Sequence, residues 1–386
     1  VLTRRGFLYT GAASLALPTW IKADALADFD AYRQQVDDQF NTHVQQERER
    51  FANYANTVRD AFAKRQQEVR GLWGDEQIGD KTTLVDYSDD LQTRTIIDYE
   101  KRSIRVETLV RDNSDTPRAR LAQALVIAST SDIEDFTQRD PVAAIPGDNS
   151  TPRSRSSRNL AAGALLAPET PNDQDAVIQT LTQKVRSTSV QTQTAANGQT
   201  IAVVEFEVDN PPKRGKEFLP YVMKYAREEQ IEPALALAIM ENESAFNPMA
   251  KSHIPAFGLM QIVPTSAGRD TTKKLYGEER LLSAANLYNP EENIRHGCAY
   301  LNILQYRYLR QIDDPVSQRY CVISAYNTGA GNVARAFTGS TSPAQAASVI
   351  NRMPSDQVYN RLLANLPYEE TQNYLRKVNK SYLKYS

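Results

Sequence analysis

The sequence predicts a multidomain chain in which an N-terminal α+β domain is followed by an all-α domain. Three observations carry that expectation. Residues 27–72 place apolar side chains at helical steps and give way to β-branched, partly alternating runs. Pro211-Pro212 then interrupts the chain, and tandem prolines cannot continue a strand ladder. Beyond them the periodic segments all have helical spacing. A length of 386 residues leaves room for about two domains, each able to bury its own core.

Residues 1–25 read as an export signal. Arg4-Arg5 precedes Phe7-Leu8, an apolar stretch runs from Tyr9 to Trp20, and Ala23-Asp24-Ala25 supplies a small-x-small cleavage pattern after Ala25. An apolar run of about 14 residues is shorter than the roughly 18–20 that a membrane span needs, so no integral span is expected. The arginine pair fits a twin-arginine signal, although a basic segment of this kind also serves the general secretory route. Neither cysteine lies near the cleavage region, so no lipid-anchor cysteine is expected and the mature protein should be soluble in the periplasm or cell envelope.

The α+β domain is assigned to 26–212. From Ala27 to Leu72 the apolar residues Phe29, Tyr32, Val36, Phe40, Val44, Phe51, Tyr54, Val58 and Phe62 mark one long amphipathic helix, ended by Gly74. Strands are expected over Thr82–Tyr87 and Thr93–Val110, with a turn near Glu100-Lys101, and a helix near Ala119–Ala128. Residues 139–175 lose periodicity and become rich in Pro, Ser, Arg and Asn, which predicts a long exposed loop. Strands over Ser187–Thr194 and Gln199–Val208 flank Asn197-Gly198, a dipeptide suited to a tight hairpin turn. In the all-α domain, 213–386, helices are expected over Glu217–Glu228, Pro233–Glu243, Pro264–Tyr276, Pro290–Gln311, Ser317–Tyr326, Ala330–Phe337, Ala344–Met353, Asp356–Ala364 and Tyr368–Lys384.

Composition narrows the function classes. With 45 basic and 47 acidic side chains the net charge is -2, which argues against nucleic acid as a partner. Three histidines, His43, His253 and His296, and two cysteines, Cys298 and Cys321, show none of the paired spacings of a metal cage. Neither metal nor cofactor is expected.

The chemistry concentrates after Pro233. Ala234, Leu235, Leu237, Ala238, Ile239 and Met240 make a helix apolar on nearly every face, so it must be buried. It ends in Glu241-Asn242-Glu243-Ser244, which sets carboxylates at the negative end of a buried helix. Desolvation and the helix dipole both raise a carboxyl pKa, as a general acid requires. Glu241 and Glu243 lie about 200° apart at 100° per residue, so only one can face a given cleft. A solvated helix end is the plain alternative for this segment alone.

Four further segments follow in order. They are Phe246-Asn247-Pro248, Gly258-Leu259-Met260-Gln261-Ile262, Ala325-Tyr326-Asn327-Thr328-Gly329-Ala330-Gly331 and Leu366-Pro367-Tyr368-Glu369-Glu370-Thr371. Together with Glu243-Ser244 they resemble the lytic murein transglycosylases, whose catalytic domain is goose-lysozyme-like. The resemblance covers about residues 215–380, and the first domain and the tail 374–379 resemble a membrane-bound branch of that family. It implies an all-α lysozyme-like catalytic domain acting on peptidoglycan glycan strands, with Glu243 as catalytic acid. Ser244 would orient the carboxyl or the sugar, Gln261 would line the cleft, and Tyr326 and Asn327 would face the reacting sugar. Tyr300 and Glu370 are further substrate-binding candidates. Core packing for Met260 and Tyr326, and a backbone role for Gly258, stay open beside these roles. Pro255 stands where many relatives have glycine.

The resemblance implies cleavage of the β-1,4 bond between N-acetylmuramic acid and N-acetylglucosamine by one glutamate working twice, leaving 1,6-anhydromuramoyl ends. A lysozyme-type hydrolase of the same bond and a non-catalytic glycan-binding scaffold are the alternatives. No acid–base cluster is recognisable in the first domain, so a chain beginning near Lys213 is expected to keep activity.

Overall fold

A computed structural model describes residues 23–110, 117–143, 145, 173–207, 215–252 and 255–386. The expected signal up to residue 22, the core of the expected loop at 146–172 and the Pro211-Pro212 boundary lie outside the described residues. The chain divides into two compact units, one ending at Asn56 and one spanning Thr57–Ser386. The described part of the first is helix, belonging to α1 (Ala23–Trp73), whose last turns from Thr57 belong to the second unit.

Within the second unit the α+β region is built on a five-stranded antiparallel sheet of order β1-β2-β3-β5-β4. Its strands are β1 (Thr83–Tyr87), β2 (Thr93–Asp98), β3 (Ser103–Leu109), β4 (Gln191–Thr194) and β5 (Thr200–Glu207). The long β run of the sequence is thus two strands, turned through Arg102 with a left-handed φ of 60°. Val69 and Trp73 of α1 close one core with Tyr87, Leu109, Ile201 and Val203. The Trp73 indole donates to the Leu91 carbonyl at 2.8 Å, so its buried N–H is satisfied.

Helices α2 (Pro117–Thr130), α3 (Ile133–Arg139) and α4 (Gln174–Ser187) lie between β3 and β4. Two of them differ from the expectation. The short α3 lies just before the expected loop, in a stretch where no element is expected, because Asp132 and Asp135 form a reciprocal capping box while Ile133 and Phe136 are buried. The expected first residue of the Ser187–Thr194 strand is instead the end of α4. Val177 and Leu181, one helical turn apart, are buried in a helix that packs on α2, and the Asp173 carboxylate accepts from the amides of Asp175 and Ala176 at its start.

From residue 215 the fold is helical among the described residues. Helix α5 is Leu219–Glu228 and α6 is Pro233–Ser244, with proline in the first turn of each. There follow α7 (Arg269–Tyr276), α8 (Ala284–Tyr288), α9 (Pro290–Asn302), α10 (Pro315–Thr328), α11 (Ala330–Thr338), α12 (Pro343–Ile350), α13 (Ser355–Asn365) and α14 (Glu369–Tyr385). Two expected helices contain π-helical stretches, Pro264–Gly268 and Ile303–Tyr308. Leu235 through Met240 of α6 are buried, and α14 and α5 pack along that helix. Cys298 and Cys321 are buried free thiols.

The sheet region and the helical region touch. The Lys251 amide donates to the Asp80 carbonyl at 3.2 Å, the Asn247 side-chain amide donates to the Lys81 carbonyl at 3.4 Å, and the buried Lys251 ammonium pairs with Asp140. No helix among the described residues is long and apolar enough to cross a membrane.

Candidate active site

The site begins with the end of α6. Ala245 and Phe246, directly after the helix, both have left-handed φ, 50° and 67°. Such backbone costs on the order of 1–3 kcal/mol per residue and persists only where its surroundings enforce it. Ser244 does the enforcing. It is fully buried, its hydroxyl lies within hydrogen-bond reach of the Met240 and Leu259 carbonyls at 3.1 and 2.8 Å, and it accepts from the Phe246 amide at 3.2 Å. That hydroxyl is committed to the turn carrying Glu243 and to the Gly258–Ile262 segment.

The Gly258–Ile262 segment is clamped from a second side by Asn293 of α9. The Asn293 amide donates to the carbonyls of Phe257 and Leu287 at 2.8 and 2.7 Å, and its oxygen accepts from the Met260 amide at 2.7 Å. Gly258 has φ 75°, and a Cβ there would stand 2.1 Å from the Leu287 oxygen and 2.3 Å from the Asn293 nitrogen. The glycine is therefore required by both conformation and space. Gln261, at φ 49°, donates to the Gly258 carbonyl at 3.1 Å, while its buried Oε1 has no hydrogen-bond partner among the described residues. A buried acceptor left open in a strained residue is a candidate contact for a ligand donor.

Tyr326, near the end of α10, donates to the Met260 carbonyl at 2.7 Å and meets Tyr300 edge to face, with ring centroids 5.4 Å apart. Its neighbour Asn327 accepts from the Thr371 hydroxyl at 2.7 Å, which ties the end of α10 to the first turn of α14. That turn carries Glu370, which is exposed, and one turn further on Tyr374, which is buried.

Glu243 sits within this frame with 6% of its surface exposed. Burial raises its pKa above the usual carboxylate range, and the Glu370 charge pushes the same way. Two neighbours oppose the shift. The Lys81 ammonium stands 3.6 Å from Glu243 Oε2, and the Tyr374 hydroxyl favours the carboxylate without closing a well-formed hydrogen bond in this conformation. The net direction is upward. Burial, followed by the Glu243 charge, holds the Tyr326 and Tyr374 phenols protonated well above their ordinary range. Glu241 points elsewhere and pairs with Lys384 at 2.7 Å, as the helix angle requires.

Glu243 and Tyr326 thus come within electrostatic reach of one another, with Glu370 close enough to act on the same carboxyl. Ser244, Asn327 and Tyr300 hold the elements around them. Sequence reasoning missed two neighbours. Tyr374 opens the tail 374–379 that carried part of the family resemblance, three residues after Thr371, so its signal was present. Lys81 lies in the first domain, outside every motif, and only the tertiary contact reveals it. Lys81 thus brings the first domain to a carboxyl whose motifs and helices all lie beyond Lys213. Among the described residues no cluster of His, Cys, Asp and Glu could hold a metal ion.

Known proteins resemble both regions of the chain. The family model for the Transglycosylase SLT domain matches residues 220–349, and that for the N-terminal domain of membrane-bound lytic murein transglycosylase C matches 51–138. Membrane-bound lytic murein transglycosylase C of Sodalis glossinidius is 36% identical over 326 residues, covering 81% of this chain and 85% of its own length. The protein of the same name from Klebsiella pneumoniae is 36% identical over 326 residues, covering 81% and 84%. The 70 kDa soluble lytic transglycosylase of Escherichia coli superposes with a TM-score of 0.36 at 18% identity, over 90% of this chain and 44% of that one.

Proposed function

Because the chain belongs to the membrane-bound lytic murein transglycosylase C family, and so is an enzyme that cleaves peptidoglycan by lytic transglycosylation, we propose that Glu243 is its acid and its base. The observation that carries this reading is the Glu243 carboxyl itself, nearly inaccessible to solvent at the end of a buried helix, with its pKa raised by burial. Such a group is shifted toward the protonated form that a general acid requires. Glu243 donates that proton to the glycosidic oxygen as the bond to C1 of the muramoyl sugar breaks. The resulting carboxylate takes the proton of the sugar's own C6 hydroxyl while O6 attacks C1. The acid is restored, no water is consumed, and a 1,6-anhydromuramoyl end is left.

The other residues have supporting parts in this reading. Ser244 fixes the turn that aims the carboxyl, and the open Oε1 of Gln261 accepts a donor from the glycan. Tyr326, Asn327, Tyr300 and Glu370 shape the sugar-binding side, with Tyr326 buttressed by Tyr300. The enzyme reaches its substrate in the cell envelope, exported by the signal at 1–25 through the twin-arginine route. Replacing Arg4 and Arg5 by lysine tests the route, because continued export would leave only general secretion.

The decisive experiment digests purified glycan strands with wild type, Glu243→Gln and Glu241→Gln, and weighs the products. Wild type yields ends lighter by one water than hydrolytic ends. Glu243→Gln loses more than the roughly 10²–10⁴-fold that one acid–base step contributes, since both steps fail. Glu241→Gln, on another face of the helix, stays active. Free reducing muramic acid would convert the reaction to a lysozyme hydrolysis, and an active Glu243→Gln would overturn the site.

A further inference from the structure

We infer that Lys81, on the loop before β1 in the sheet region, is a positioning residue for the reaction: it holds the Glu243 carboxyl in place and supplies the compensating charge whenever that carboxyl has given up its proton. The inference rests on the assignment of Glu243 as acid and base.

The placement of Lys81 is built. The Asp80 carboxylate accepts from the amides of Thr82 and Thr83, both at 2.8 Å, and so closes the loop on either side of Lys81. Two bonds then fasten the loop to the helical region, from the Lys251 amide to the Asp80 carbonyl and from the Asn247 side chain to the Lys81 carbonyl. Asn247 is fully buried and belongs to Phe246-Asn247-Pro248, the turn directly after the helix that carries Glu243. Its own oxygen accepts from the Met249 amide at 2.9 Å, so the side chain is fixed at both ends. The segment that aims the carboxyl thus grips the backbone of the residue that pairs with it. Gly79 completes the fit, since a Cβ there would come 3.1 Å from Cε of Lys251.

The groups acting on the Glu243 carboxyl are Lys81 from this loop, Tyr326 from α10, and Glu370 and Tyr374 from α14. Of these four only Lys81 is a cation, and Glu370 works against it. The carboxylate formed by proton donation stands in a pocket where desolvation disfavours charge, and an ammonium 3.6 Å away offsets that penalty. The Lys81 side chain is 44% exposed, whereas the Glu243 side chain is 7% exposed, so the pair spans from solvent to the buried acid.

The test uses the full chain and the pH dependence of kcat/KM for release of anhydro products from purified glycan strands. The acid form of Glu243 is lost as pH rises through its pKa, which sets the alkaline limb. Lys81→Met removes the charge that favours the carboxylate, so the limb moves up by about one pH unit or more, while kcat at neutral pH falls about tenfold and KM changes little. Lys81→Arg restores the limb and most of kcat. A limb unmoved in Lys81→Met would overturn the inference whatever happens to the rate, because a merely structural role lowers activity without shifting the profile. Should Lys81→Met fail to fold, Lys81→Gln is read in the same way. Glu243→Gln is assayed alongside: if it is active the site assignment itself fails, and if it is inactive while the Lys81 profiles match wild type, only the role of Lys81 falls.

Discussion

Replacing Gly258 by alanine should damage the frame of the site far more than the same change at Gly339. The added Cβ would lie 2.1 Å from the Leu287 carbonyl oxygen and 2.3 Å from the Asn293 side-chain nitrogen, at a φ of 75°. The left-handed conformation costs an alanine about 1–2 kcal/mol. Relieving the contacts displaces Asn293 from a clamp that satisfies two carbonyls and one amide, all buried, and each group left unsatisfied costs about 1–3 kcal/mol. At the lower end of each range the sum is about 4 kcal/mol, a large share of the roughly 5–15 kcal/mol that holds most domains folded. At about 2–4 °C per kcal/mol, Tm should fall by about 10 °C. Gly339→Ala isolates the conformational part, because its φ is 72° but no atom lies within 4 Å of the added Cβ. It should cost about 1–2 kcal/mol only. Thermal unfolding of both variants, followed by circular dichroism, makes the comparison. A Gly258→Ala protein no less stable than Gly339→Ala would refute the view that the clamp, rather than φ alone, dictates this glycine.

Three further outcomes are expected. Ser244→Ala leaves the Phe246 amide and the Leu259 carbonyl without their partner, which should cost about 1–3 kcal/mol in denaturant unfolding. Glu243→Gln should be more stable than wild type at pH 7 and lose that advantage near pH 4. The folded pKa of Glu243 is raised, so ionisation destabilises the native state above the unfolded value of about 4.3 and not below it. His296 is buried, accepts or donates at 2.7 Å to Thr271, and has its pKa lowered to about 3 by burial. The unfolded chain therefore binds the extra proton between about pH 6.5 and 3, and His296→Gln should flatten the loss of stability across that window in denaturant midpoints measured at pH 4 and 7.

Most of the helical region was legible because its signals are local. The apolar run from Leu235 to Met240 announces a buried helix, proline opens α5 and α6, and the angle between Glu241 and Glu243 separates the residue that pairs with Lys384 from the one that enters the site. Failures occurred where tertiary packing decides. Helix α4 carries a helical pair, Val177 and Leu181, but its neighbours Thr182 and Thr188 favour strands equally well, and the surface of α2 settles the matter. The clamp of Asn293 on Gly258 joins residues 35 positions apart in sequence, so the glycine could be noticed but its partner could not.

The electrostatics of Glu243 lay further still from the sequence. A helix end and an apolar run point to a raised carboxyl pKa, with a solvated helix end as the alternative for that segment alone, and burial does raise it. Yet in the role proposed for it, acid first and base second, the group cannot be served by burial alone. Burial that makes the acid form persist also makes the carboxylate costly, and the second step requires that carboxylate to survive until the C6 hydroxyl is in place. A nearby cation relieves the second demand without abolishing the first, provided it stays partly in solvent and does not overwhelm the desolvation. Lys81 meets both conditions, pairing at 3.6 Å with its own side chain 44% exposed. In the role proposed for Lys81 the sheet region enters the chemistry through one charge and the loop that holds it, and a chain cut near Lys213 would retain every motif of the helical region while losing that charge.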